Sequence, residues 1–249
     1  MDITFPLQLP AQENYEIQVY ASPTQAVHSS IFELHSNFTF QGEKNIVNGV
    51  LPSHHSTHET IEVTTGVAKN FELGFYLFTN LTAGHGLQFV GTHIRPRVTA
   101  PASWKLPVGL SLSSEIGYQK AAYSDEIWNI EIRPILDKQW NKLYASLNPT
   151  LGISLNGISN KHTPAFEPNI KLAYQFFDHT SLGIEYYGGM GYINNLDPLR
   201  DQSHAVFLAY DLAGNVKWEL NIGLGFGLTS ATEGMVGKIL VGRRISWSK

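Results

Sequence analysis

Apolar and polar side chains alternate with a period of two residues through most of the chain after residue 31, and helical periodicity is nearly absent. In residues 215–228, the bulky apolar side chains that begin with Trp218 share one parity, and Lys217, Glu219 and three glycines share the other. A strand directs successive side chains to opposite faces of a sheet. This segment therefore predicts a strand with one apolar face and one polar face lined partly by glycine.

The same alternation predicts about twelve strands, separated by connections rich in Gly, Pro, Asn and Asp. The predicted strands are residues 31–40, 59–67, 71–79, 89–98, 108–118, 126–136, 143–155, 166–177, 181–190, 203–212, 215–227 and 235–246. Tight connections at 68–70, 177–180 and 213–215 interleave with long connections at 41–58, 156–165 and 192–202. Successive strands are therefore expected to be antiparallel neighbours, with short turns at one end of the sheet and long loops at the other.

Two environments produce such an alternation. In a soluble sandwich the apolar face packs inside and the polar face meets water, whereas in a transmembrane barrel the apolar face meets lipid and the polar face lines the lumen. Most predicted strands reach the roughly 9–11 residues that a tilted strand needs to cross a bilayer, while strands of soluble domains average roughly 5–6. Glycine and serine crowd the polar face, and aromatic residues gather at strand ends, as interfacial girdles require.

These features predict an all-β fold, namely a closed antiparallel transmembrane β-barrel of about twelve strands in the bacterial outer membrane. An even number of strands places both termini on the periplasmic side, together with the short turns, and places the long loops on the extracellular side. A large soluble β-sandwich or a lipocalin-like barrel is the alternative interpretation.

The composition of the chain limits the classes of protein and of partner that are possible. Of the 249 residues only 15% are charged, against roughly 25% in soluble domains, and 43% are hydrophobic. The net charge of −4 gives no indication of a nucleic-acid partner. The absence of cysteine excludes disulfides and thiolate metal ligands. No apolar run approaches the about 18 residues of a transmembrane helix.

Residues 1–28 differ from the rest of the chain. Pro6, Pro10 and Pro23 interrupt them, and they do not continue the barrel pattern. The first residues lack a basic region followed by an apolar core, so any export signal is expected to have been removed. We therefore divide the chain into an N-terminal extension, residues 1–28, which is a candidate periplasmic lid or plug, and a transmembrane barrel, residues 29–249.

The chain from residue 31 to its end resembles bacterial outer-membrane β-barrel proteins. Its last hairpin is similar to that of a family of outer-membrane proteins associated with the phenol meta-cleavage pathway. The similar features are the glycine-rich strand from Gly223 to Thr229, the acidic Glu233, and the basic strand from Lys238 to Arg244. This resemblance implies a transporter-like barrel in a Gram-negative outer membrane, in contact with membrane lipid and lipopolysaccharide.

Charged side chains on the inward parity form the candidate functional site. The strings HIRPRV and IEIRPI place arginines and a glutamate on two strands, and the strand between them supplies Glu115, so cross-strand ion pairs are expected. The candidate pore-lining residues at the constriction are His93, Arg95, Arg97, Glu115, Glu131, Arg133, Glu185 and Lys171. A constriction that selects solutes by charge is the functional interpretation. Eight inward acids against seven inward bases favour the alternative, a structural network of ion pairs.

The same strings contain two prolines, Pro96 and Pro134, on the lipid-facing parity. Proline cannot donate a backbone hydrogen bond to a neighbouring strand. We therefore expect both prolines to cost hydrogen bonds in the barrel wall.

Histidines in the longest predicted loop are weak candidates for a metal site. His54, His55 and His58 have a spacing that can bind Zn²⁺ or Cu²⁺, but a solvated loop is the favoured interpretation. No cofactor or metal is predicted. An enzyme is disfavoured because the neighbouring His35 and Ser36 point to opposite faces of a strand and cannot pair.

The sequence therefore predicts an outer-membrane channel or transporter for a small-molecule solute. Two alternatives stay open. One is a lumen-filled structural or surface barrel that acts through binding loops, and the other is a lipid-modifying outer-membrane enzyme.

Overall fold

The computed structural model describes residues 14–82, 84–157, 162–212 and 217–247. Within these ranges twelve long strands and two two-residue strands form a single sheet. The strands are β1 (Ser29–Gln41), β2 (Ser56–Ala68), β3 (Phe71–Thr82), β4 (Gly86–Thr99), β5 (Gly109–Gln119), β6 (Glu126–Trp140), β7 (Leu143–Gly157), β8 (Ala165–Phe177), β9 (Thr180–Gly189), β10 (Gly191–Tyr192), β11 (Asn195–Leu196), β12 (Ser203–Leu212), β13 (Trp218–Gly227) and β14 (Met235–Ser246).

The long strands close into a barrel. Each pairs antiparallel with its neighbours, and the pairing of β1 with β14 completes the circle. Strand β9 links β8 to β12, and the small hairpin of β10 and β11 extends beside β8. The prediction of an all-β, closed antiparallel barrel of about twelve strands is confirmed. Within the described ranges no helix is long and apolar enough to cross a membrane.

The direction of each strand face agrees with the barrel interpretation. On β1, the side chains of Phe32 and Leu34 are 46% and 47% exposed, whereas the intervening Glu33 is 8% exposed. On β13, Leu224 and Phe226 are likewise exposed on the outside. A soluble sandwich would bury these apolar side chains and expose the charges. The outer surface is instead an apolar band of the kind that hydrocarbon covers.

Two connections differ from the sequence prediction. Strand β3 extends to Thr82 and strand β4 begins at Gly86. Only residues 83–85 therefore join them, where a longer connection was expected. The outward parity continues through Leu81 and Leu87, which explains the longer strands. The hairpin of β10 and β11 was not predicted, because two-residue strands leave no periodic pattern. The predicted tight turn at 213–215 lies outside the described residues.

Prolines interrupt the pairing of the wall. Strands β4 and β5 pair at Ile94 with Ile116 and resume at Arg97, so Pro96 lies in a gap. Strands β6 and β7 pair at Ile132 with Leu151 and resume at Leu136 with Leu147. That register places Pro134 opposite Pro149, which in turn faces Pro168 on β8. As expected, these positions lack the backbone donors that a ladder needs.

Residues 14–28, which we call the inner segment, lie inside the barrel. Near the long-loop end Asn37 donates to the Asn14 carbonyl, 2.9 Å away. Near the short-turn end Val27 forms an isolated bridge with Gly66 of β2. The chain then reverses at His28, which has a φ of 61°, and enters β1. The inner segment therefore runs along the length of the lumen. Residues 1–13 of the predicted N-terminal extension lie outside the described residues.

Candidate pore and its lining

Arg95 of β4 is the centre of a buried ion-pair group. Its Nη2 lies 2.7 Å from Glu62 Oε1 and its Nη1 lies 3.1 Å from Glu72 Oε1. It also donates to the Tyr76 hydroxyl. A Cβ on Gly74, the residue opposite Arg95 on β3, would lie 3.2 Å from the guanidinium, so the glycine leaves room for it. Alternation puts these charges on the inside, and the register of three strands brings them together.

Other predicted lining residues join this group. Arg97 Nη2 lies 2.6 Å from Glu72 Oε1. On the next strands, Arg133 Nη2 lies 2.8 Å from Glu131 Oε1, and His93 contacts Glu115. Six of the eight predicted residues, those on β4, β5 and β6, are thus assembled on one side of the lumen.

The remaining two predicted residues belong to a second group, on the other side of the barrel. Lys171 Nζ lies 3.0 Å from Glu185 Oε1 and 2.6 Å from Asp211 Oδ1. Lys238 of β14 contacts Glu185 as well. The candidate site residues did not include Asp211 or Lys238, although the inward parity of Lys238 indicated that it faces the lumen.

Tyr20 of the inner segment lies among three arginines. The guanidinium carbons of Arg95, Arg97 and Arg133 are 4.9, 5.5 and 4.7 Å from the centre of its ring. The Tyr20 hydroxyl contacts Glu16, whose carboxylate lies 3.5 Å from Arg133. Guanidinium groups at these distances attract the face of an aromatic ring. The predicted constriction therefore encloses a side chain of the same protein.

The main chain of the inner segment also binds the lining. Asn148 Oδ1 accepts from the Tyr20 N–H at 2.7 Å, and Ser146 Oγ donates to the Tyr20 carbonyl at 2.7 Å. Ser22 Oγ donates to Asp137 Oδ1 at 2.6 Å. A buried backbone needs partners for its N–H and C=O groups. Here side chains of the barrel wall supply them.

Arginine and lysine residues bind the segment in the same way. Arg97 donates to the carbonyls of Ala21 and Pro23, each 3.0 Å away. Lys238 donates to the Ile17 carbonyl at 3.0 Å. These two cations hold the segment in addition to pairing with acids of the wall.

Two apolar clusters pack the inner segment against the wall. Tyr15 packs with Tyr76, Phe78 and Val90, while Ile17 and Val19 pack with a second set. That second set is Tyr187, Ala205, Phe207 and Val236. Sequence reasoning missed these residues as contacts of the N-terminal extension. Large apolar groups on an otherwise polar, inward parity were the pattern that could have indicated a packed occupant.

The histidines of the predicted loop do not gather. The rings of His54 and His55 stack with centres 3.9 Å apart in the loop. His58 instead lies inside the barrel on β2, 4% exposed, with its ring edge against Tyr15. Among the described residues, the one cluster with three ligand atoms within 4.8 Å of one another is Glu33, His35 and Glu62.

The side chains of His35 and Ser36, the candidate pair for a lipid-modifying enzyme, point to opposite faces of β1. His35 faces the lumen and is 1% exposed, whereas Ser36 faces outward and donates to Glu59 at 2.7 Å. These two side chains do not form a nucleophile and base, as the strand geometry predicts.

The barrel is similar to solved outer-membrane proteins. An outer membrane channel from Pseudomonas putida F1 shares 12% sequence identity with a TM-score of 0.59, over 92% of this chain and 100% of that chain. The KdgM porin shares 10% identity with a TM-score of 0.53, over 88% of this chain and 99% of that chain. These similarities establish the fold, that of outer-membrane β-barrels. No protein-family model and no curated protein matches the sequence.

Proposed function

We propose that the protein is an outer-membrane channel for small solutes, and that the inner segment is a plug that must move before solutes pass. The observation that carries the proposal is the position of Tyr20, enclosed by three guanidinium groups at the predicted constriction. The outward apolar band and a fold shared with channels and porins support the membrane location and the channel function.

The charges of the lumen are compensated without the plug. Arg95 pairs with Glu62 and Glu72, and Lys171 pairs with Glu185 and Asp211, all on the wall itself. Displacing the inner segment therefore leaves these ion pairs intact and exposes a polar, hydrated surface. A lumen filled only for stability would not need a wall whose charges balance independently of its contents.

The attachment of the inner segment also suits a movable element. Its backbone binds side chains such as Asn148, Ser146 and Arg97, and Val27 makes its only bridge to a strand among the described residues. Contacts to side chains can be replaced by water one at a time, whereas a row of backbone hydrogen bonds between two strands breaks cooperatively. The resemblance of the last hairpin to transporter-like proteins of the phenol meta-cleavage pathway belongs to the same proposal.

A reversible tether tests the proposal. The chain contains no cysteine, so S22C/D137C introduces a single pair of thiols, at positions where Ser22 Oγ and Asp137 Oδ1 are 2.6 Å apart. We expect low conductance in planar bilayers when the tether is oxidised and higher conductance after reduction. A variant lacking residues 1–28 should conduct most, and the conductance of S22C alone should not change between oxidising and reducing conditions. Equal conductance in all four proteins would support the lumen-filled structural barrel instead.

A further inference from the structure

Three ligand-type side chains meet on the inner wall between β1 and β2. Glu33 lies directly opposite Glu62, and His35 follows two residues later on the same face of β1. One ligand atom from each lies within 4.8 Å of the others. All three are buried, with exposed fractions of 8%, 1% and 1% for Glu33, His35 and Glu62.

Two buried polar atoms of this cluster lack a hydrogen-bond partner. His35 Nε2 and Glu62 Oε2 are 3.3 Å apart, and neither has a hydrogen bond of acceptable geometry. In the part of the chain that the structure describes, the Glu33 carboxyl has no hydrogen bond or ion pair. Buried polar groups are nearly always satisfied, so two unsatisfied buried atoms that face each other beside a third carboxyl require a physical explanation.

The surroundings orient Glu62 toward His35. Arg95 and Thr64 both donate to Glu62 Oε1, at 2.7 and 2.6 Å, which leaves Oε2 directed toward His35. The Arg95 charge is shared with Glu72. Directly opposed carboxylates on neighbouring strands repel each other. On the other side of β1, Gly242 lies opposite Glu33, and a Cβ there would lie 3.1 Å from Glu33 Cγ.

We propose that Glu33, His35 and Glu62 bind a divalent transition-metal ion, with Zn²⁺ the best fit to the donor set. One imidazole nitrogen and two carboxylates form a three-ligand site, and such sites keep a fourth position for water or another ligand. Ca²⁺ and Mg²⁺ prefer six or more oxygen ligands. The ion would neutralise the paired carboxylates and fasten β1 to β2. Arg95 acts as a positioning residue, because it orients Glu62 without contacting the metal.

The test uses the full chain, folded in detergent and produced without a polyhistidine tag. Zn²⁺ binding is measured by titration calorimetry, and Co²⁺ is used as a spectroscopic substitute because its ligand-field bands report coordination. We expect one equivalent to bind, and E33Q and H35Q to weaken binding by at least about 10- to 100-fold. H58Q is the matched control, since His58 on β2 is, like His35 on β1, a buried histidine that faces the lumen.

Strand content by circular dichroism and the gel mobility of unheated samples establish that each variant is folded. Absence of binding by the folded wild type, or unchanged affinity in folded H35Q, would overturn the proposal. Loss of binding in H58Q with retention in H35Q would also overturn it, since the metal would then be bound at His58 and not at the proposed cluster. Binding is measured without ion conduction, so this result is separate from the test of the channel.

Discussion

The Arg95 guanidinium carbon lies 4.9 Å from the centre of the Tyr20 ring, so a charged side chain of the wall contacts an aromatic side chain of the inner segment. Arg133 contacts the same ring from β6, at 4.7 Å. A buried cation–π contact contributes about 0.5–2 kcal/mol. Several such contacts on one ring make Tyr20 the residue on which the closed state of the proposed channel depends most.

Replacement of Tyr20 should open the channel. In Y20L the ring is lost together with its contacts to three arginines, and we expect the ratio of open to closed states to rise by about tenfold or more, since about 1.4 kcal/mol corresponds to a factor of ten. Y20F keeps the ring but loses the hydroxyl contacts, so it should give an intermediate increase. Single-channel recording measures both. Y210L, at an outward tyrosine, is the control, and an effect equal to that of Y20L would contradict the prediction.

Removal of Arg95 should destabilise the barrel. R95M leaves Glu62 and Glu72 without their shared cation, and breaking a buried ion pair on one side costs about 3–5 kcal/mol. Urea unfolding in lipid vesicles, followed by tryptophan fluorescence, measures the free energy of unfolding. Arg200 is the control, because its side chain is 86% exposed and R200A should change stability by less than about 0.5 kcal/mol. Similar losses in both variants would show that the ion pairs contribute no special stability.

Gly117 should not tolerate a larger side chain. A Cβ at this position would overlap the His93 ring, so G117A should cost about 1–3 kcal/mol of unfolding free energy. Shortening the histidine in H93S should restore much of the loss. Gly152 is also on the inward parity, but a Cβ there would lie 3.3 Å from the flexible Glu167 carboxylate, so G152A should be nearly neutral. Equal costs for the two alanine variants would exclude the His93 overlap as the cause.

Glu233 should make stability depend on pH. This loop residue accepts a hydrogen bond from Ser53 of the β1–β2 loop. Burial raises the pKa of the Glu233 carboxyl, and the Ser53 hydrogen bond opposes part of that rise. Because the folded state prefers the protonated carboxyl, this contribution is present below the ordinary carboxyl pKa and is lost as the pH rises through the raised value.

The comparison of wild type with E233Q isolates that contribution. The two proteins should unfold at similar temperatures near about pH 4, and E233Q should be the more stable near about pH 8, where the wild-type carboxyl is charged. Thermal melts by circular dichroism across this interval provide the measurement. A difference that stays constant with pH would assign the effect to packing.

Local alternation was sufficient to predict the fold, because the direction of each side chain depends only on its parity within a strand. Leu224 and Glu185 lie on the faces that the sequence indicated, 41% and 1% exposed. The contacts within the lumen needed more. The approach of Glu33 to Glu62 depends on the register between two strands, which alternation does not specify.

The position of the inner segment inside the lumen could not be predicted from a local pattern either. Tyr76 and Phe207 are large aromatic residues on the inward parity, which is otherwise mostly polar, and each packs against residues far away in the sequence. The roles of the eight predicted lining residues in selecting solutes stay predictions, although the structure gathers them in two ion-paired groups.

Pro134, Pro149 and Pro168 lie side by side on three neighbouring strands and form a weak line across the barrel wall. Three adjacent strands lack a backbone N–H donor there, so the wall has fewer backbone hydrogen bonds at that height than elsewhere. Strands β1 and β2, by comparison, pair at every residue from Ser30 to Phe38. Under heat or lateral tension, the cylinder should therefore give way first along this line, and the amides flanking it should take up deuterium before those of β1 and β2.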